Sequence, residues 1–154
     1  MKKIILFFLL SLSTLPAQAQ KGIQGHWEGT ITYGGHDLKP GYKFEIHFDV
    51  TGRVVEGKTI IYKSDTEVIS QSFKGRIFDD NSIAIEELSD KKGRLQKIDS
   101  LSTVPILRKY QLIYRRSIFG NDMEGWWQDI NINPFDNTRG RGRVYLKKTD
   151  TGKA

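Results

Sequence analysis

Gly25-His26-Trp27-Glu28-Gly29-Thr30-Ile31-Thr32-Tyr33 is the stretch whose reading decides the fold. Trp27, Gly29, Ile31 and Tyr33 fall on one face and His26, Glu28, Thr30 and Thr32 on the other, the period of a strand with one buried side. A strand that begins with a large aromatic and continues with glycine suits a barrel. The indole plugs one end, and the glycine lets the backbone bend or approach a neighbour closely.

Downstream the same alternation recurs at even spacing, broken by glycine, asparagine and aspartate turns, with no amphipathic helix between. Tyr42, Phe44, Ile46, Phe48 and Val50 alternate with Lys43, Glu45, His47 and Asp49 in the clearest half-buried strand. Thr51-Gly52 turns the chain into a third strand from Arg53 to Tyr62. A fourth runs from Glu67 to Phe78, with Ile69, Phe73 and Ile77 sharing a face, and a fifth from Ser82 to Leu88. Strands three and five carry apolar residues on both sides, so their buried face stays open at this level. Ser89 to Pro105 is the longest irregular piece and the candidate lid. The sixth strand, Arg108 to Arg116, sets Tyr110, Leu112 and Tyr114 on one face; Asn121-Asp122 reads as the bend before a seventh, Met123 to Ile130. Asn131 to Thr138 is a loop, and Gly140 to Lys148 the eighth strand. Eight strands is the smallest number that closes around a side-chain-filled or small-ligand interior, and closure removes exposed edges. The expectation is an all-β, eight-stranded antiparallel up-and-down β-barrel.

Upstream, Met1-Lys2-Lys3 is a short basic segment, Ile4 to Leu12 an apolar run broken only by Ser11, and Ala17-Gln18-Ala19 a small-x-small cleavage site. Residues 1–19 therefore read as a bacterial signal peptide and 20–154 as a single barrel domain, exported to the periplasm or beyond the cell. No later stretch is long and apolar enough for a transmembrane segment, and no cysteine follows the apolar run to carry a lipid anchor. The about 135 residues that remain suffice for one domain with a core.

Lys2 and Lys3 supply two of the six net positive charges, leaving a mild excess of +4 downstream. That excess is solubilising charge and is too small to indicate a nucleic-acid partner. With no cysteine in the chain, disulfides, thiol nucleophiles and thiolate metal ligands are excluded.

Gly25-His26-Trp27 resembles the Gly-x-Trp signature that opens the first strand of lipocalins, and the meander resembles the wider calycin group, which also includes avidin-like and fatty-acid-binding barrels. In lipocalins the Trp closes the base of the barrel and an Arg near the end of the last strand packs over it. The resemblance puts Arg143, or else Arg141, over Trp27, a cation on an indole face. The later strands show no Thr-Asp-Tyr-like motif, the last strand is not followed by a helix, and there is no disulfide pair. The likeness is therefore to a shorter, lipocalin-like bacterial barrel, and it implies binding of a small apolar or amphiphilic molecule.

Phe44, Phe73, Tyr110, Tyr114 and Trp127, with Phe48, are the residues that would line a cup. A packed core would use the same residues, and the alternative is a filled barrel acting as a protein-binding or inhibitor module. Because neighbours on a strand face opposite ways, only one of Trp126 and Trp127 can face the core. Trp126 and Arg141 are assigned to a surface contact, and Arg115, Arg116, Arg139 and Arg143 complete a basic C-terminal third that could converge on an anion. Enzymatic residues are not evident: no cofactor motif and no nucleophile elbow occur. Hydrolysis or isomerisation in the cup would need Glu28, Glu86 or Asp129 to turn inward. His26, His36 and His47 show no metal-binding spacing, and no metal is expected.

Overall fold

The structure is a computed structural model that describes residues 22–34, 41–89, 106–118, 120–130 and 140–149. Alternation dictates what forms: eight strands, β1 (Gly25–Ile31), β2 (Tyr42–Thr51), β3 (Val54–Tyr62), β4 (Val68–Ile77), β5 (Ser82–Glu87), β6 (Arg108–Ser117), β7 (Gly120–Asp129) and β8 (Arg141–Lys148). Each pairs antiparallel with the next, and β8 returns to β1 through Gly29↔Leu146 and its neighbours, closing the barrel as expected.

The inward row of each strand is the apolar one: Trp27 and Ile31 on β1, Phe44, Ile46 and Phe48 on β2, Tyr110, Leu112 and Tyr114 on β6. Strand β3 buries Val55, Thr59 and Ile61, and β5 buries Ile83, Ile85 and Glu87, which settles the two faces left open by sequence. Gly29 sits where a Cβ would meet the Tyr145 carbonyl, so its lack of a side chain permits the β1–β8 contact that completes the closure.

The two ends differ. At one, Gly22 and Ile23 are helical, the Trp27 Nε1–H donates to the Ile23 carbonyl at 2.8 Å, and Tyr114 meets Trp27 edge-on with centroids 6.0 Å apart. The longer connections, after β1, β5 and β7, all leave the opposite end. The signal-peptide reading, His36, Arg139, nearly all of the candidate lid and the Asn131 to Thr138 loop lie outside the described residues.

Two boundaries differ from expectation. Strand β1 stops pairing with β2 after Ile31, although Thr32 and Gly34 still donate to the Arg143 and Arg141 carbonyls at 2.9 and 2.8 Å. Asn121-Asp122 is not a bend: β7 already begins at Gly120, which pairs with Ser117, and Asn121 and Asp122 pair with Arg116 and Arg115. The ladder, with Arg115 opposite Asp122, overrides the turn preference of these two residues.

Candidate functional site

At the end of the barrel that carries the long connections, four inward side chains join a buried charged cluster. Glu87 follows Ile83 and Ile85 on the inward row of β5, which brings its carboxylate into the interior. Its Oε1 accepts from the Tyr110 hydroxyl at 2.6 Å and from Thr59 Oγ1 at 2.9 Å, and its Oε2 accepts the Arg108 backbone N–H at 2.9 Å. Arg108, 5% exposed, opens the inward row of β6. Its guanidinium lies over the Trp127 ring at 5.4 Å, with Nη1 3.7 Å from Glu87 Oε2 and Nε 3.9 Å from Asp129 Oδ1. Nη2 donates to the Tyr33 hydroxyl at 3.4 Å. Both carboxylates stand beyond hydrogen-bond reach, so among the described residues Arg108 Nε and Nη1 are buried without an acceptor.

The electrostatics follow from this burial. Desolvation works against the Arg108 charge, but Tyr110, Tyr33, Glu87 and Asp129 around it more than compensate, and its pKa rises. Desolvation raises Tyr110 well above the ordinary phenol value, with the Glu87 carboxylate adding to it, and raises Tyr33 against the pull of Arg108. Asp129 is also raised by desolvation, despite the Gly140 N–H on its Oδ2 at 2.9 Å and the nearby Arg108.

The residues assigned to a cup all face the interior and are buried. Phe44 stacks on Tyr110 at 5.8 Å, Phe73 meets Phe48 at 5.3 Å, and the Trp127 Nε1–H donates to the Thr32 carbonyl at 2.8 Å. Tyr114 lies at the opposite end against Trp27. Trp27 lies at the end of the barrel that carries Ile23, and the cation over its ring is Lys148 rather than Arg143, with Nζ 5.8 Å from the ring centroid and donating to the Gly22 carbonyl at 2.7 Å. Arg143 is on the outward row of β8, 4.8 Å from the Trp126 ring and 5.1 Å from the Tyr145 ring, because its neighbours Gly142 and Val144 take the inward positions. Arg141 is exposed on the same outer row. Arg115 is paired with Glu124, and its neighbour Arg116 faces the other way, so among the described residues the arginines do not converge on one anion site.

Trp126 and Trp127 divide as their adjacency requires: Trp127 is 2% exposed and Trp126 is 52% exposed. Trp126 stands between two grooves on the outer wall. One, of about 320 Å³, is lined by Glu86, Lys109 and Gln128; the other, of about 350 Å³, by Phe78, Ile113 and Arg143. Of the carboxylates considered for an interior role, Glu28 and Glu86 face outward while Asp129 is partly buried beside Arg108.

Sequence reasoning passed over Arg108, Glu87, Thr59 and Tyr33. The signal for Glu87 was its phase with Ile83 and Ile85, and for Arg108 its phase with Tyr110 and Leu112. On the opposite side of the wall, the outward donors of His26, Glu28 and Glu45 gather within 4.8 Å of one another.

No family model matches the chain, and no curated protein matches it. Among solved structures it is similar to one described as a redesigned beta barrel, with a TM-score of 0.54 and 12% identity over 86% of this chain and 96% of that one. A likeness at that identity establishes the fold. Among the described residues no helix is long and apolar enough to cross a membrane.

Proposed function

We propose that the protein is an exported, lipocalin-like barrel that binds a small amphiphilic molecule at the end carrying the long connections, with the headgroup on Arg108. One observation carries this reading: the Arg108 guanidinium is buried with Nε and Nη1 lacking an acceptor among the described residues. Buried donors without partners cost free energy that a ligand or water oxygen recovers. The aromatic surfaces of Tyr33 and Trp127, 4.8 Å apart, offer contact for the apolar part.

The charge balance narrows the ligand. One guanidinium between Glu87 and Asp129 leaves no surplus positive charge, which favours a neutral acceptor such as an ester, amide or hydroxyl oxygen over a free anion. Export rests on the basic, apolar and Ala17-Gln18-Ala19 segments of the N-terminus.

The test is native mass spectrometry of protein purified gently from its own host, before and after denaturation. A co-purifying small mass that is lost on denaturation supports the reading and identifies the ligand class. Bare protein at its calculated mass, also after incubation with lipid extract, overturns it.

A second reading is favoured by Trp126. A half-exposed indole between two grooves on the wall of a filled barrel suits a protein contact. In the same experiment this reading predicts an adduct of protein mass that Trp126→Ala abolishes.

A further inference from the structure

We propose that His26, Glu28, Glu45 and His47 form a zinc-binding site on the outer wall, across β1 and β2. The register makes the arrangement: His26 pairs with His47 and Glu28 with Glu45, so the four side chains occupy the corners of one outward patch two residues deep on each strand. Sequence spacing does not reveal the site because its ligands come in two pairs, one from each strand, and only the pairing brings them together.

The distances suit a shared ion. Two donors on a tetrahedral zinc, each on an arm of about 2.0–2.1 Å, stand about 3.3 Å apart. His26 Nε2 lies 3.3 Å from Glu45 Oε2 and 3.8 Å from Glu28 Oε1. His47 stands beside the three gathered donors, its ring centroid 5.9 Å from that of His26.

Glu45 is built for the role. It belongs to the outward row of β2 yet is only 8% exposed. Lys43 Nζ holds its Oε1 at 2.7 Å and the Tyr62 hydroxyl also donates to it, while Oε2 is turned to His26. Loss of a partner that fixes a ligand carboxylate in this way typically costs about 10–100-fold in metal affinity. Imidazole together with carboxylate selects zinc, nickel or copper over magnesium and calcium, which prefer all-oxygen sites.

The experiment is zinc titration of tag-free, chelator-stripped protein, followed by competition with a chromogenic zinc indicator and by thermal unfolding. The expected result is one equivalent bound per chain, a zinc-dependent rise in Tm, and no response to magnesium or calcium. His26→Ala and Glu45→Gln each weaken binding about 10-fold or more and remove the Tm rise. Both sites are on the outer wall, and circular dichroism establishes that the variants remain folded. Absence of uptake by the parent protein overturns the assignment. So does uptake undiminished in the double variant, or uptake lost in His36→Ala and retained in His26→Ala.

Discussion

Phe44 and Tyr110 stand on opposite walls of the barrel, four strands apart in either direction, and their rings stack at 5.8 Å. Side chains therefore span the interior at that level, and both residues are buried. Phe44→Ala removes one wall of the contact and leaves a void that the closed sheet cannot collapse into. The expected loss is about 3–5 kcal/mol, read from urea unfolding. A cost below about 1 kcal/mol would show that Phe44 lines open space.

The hydroxyl of Tyr110 fixes the buried Glu87 with a 2.6 Å hydrogen bond. Tyr110→Phe keeps the ring stack but takes one donor from a buried carboxylate, and is expected to cost about 1.5–3 kcal/mol at neutral pH. The same residue gives an alkaline signature. Tyr110, Tyr33 and Tyr114 all have folded-state pKa values raised above 10.0, chiefly by desolvation. Above pH 10 the unfolded chain releases phenol protons that the folded chain retains, so stability present below that pH is lost as pH rises. Urea midpoints measured from pH 8 to 11 should fall above pH 10, and less steeply in Tyr110→Phe.

The strand pattern made the barrel legible, because each half-buried strand announces its inward row by alternation, as β2 does with Phe44, Ile46 and Phe48. Trp27 on the inward row was equally legible. Its cation was not: Arg143 is an odd step from the inward Gly142 and Val144, and the inward Lys148 takes the place over Trp27 instead. The charged cluster was hidden for a different reason. Glu87 and Arg108 break the rule that inward positions are apolar, so apolar alternation passes over them, although their phase with Ile85 and Tyr110 places both inside. The outer-wall donors were hidden because cross-strand register, such as Glu28 opposite Glu45, is fixed by pairing and cannot be read from either strand alone.

Asp129 should prove dispensable for stability despite its place beside Arg108. Burial raises its pKa above 3.8, so the fold favours the protonated form. Its contribution is greatest below that pH and is lost as pH rises through the folded-state value, which makes the ionised group a net cost at pH 7. Asparagine retains an acceptor for the Gly140 N–H now bound at 2.9 Å. Asp129→Asn is therefore expected to unfold at the same or a higher urea concentration at pH 7, and to lack the loss of stability that the parent protein shows as pH rises from 4. Destabilisation at pH 7 by about 1 kcal/mol or more would instead mean that attraction to Arg108 outweighs desolvation.

The three tryptophans give the most direct check on which wall faces water. Trp27 and Trp127 are buried, with indole N–H groups bonded to the Ile23 and Thr32 carbonyls at 2.8 Å each, whereas Trp126 is 52% exposed. Acrylamide should therefore quench one fraction of the emission readily and leave the rest protected. Trp126→Phe should remove the quenchable, longer-wavelength fraction and leave the blue-shifted remainder. Its stability cost should be small, about 0.5–1 kcal/mol from the weakened contact with Arg143 at 4.8 Å. Trp127→Phe leaves the Thr32 carbonyl without its indole donor and takes a ring from beside Arg108, so it should cost more while leaving the quenchable fraction intact. Equal quenching of the two variants would mean that Trp126 is covered in solution.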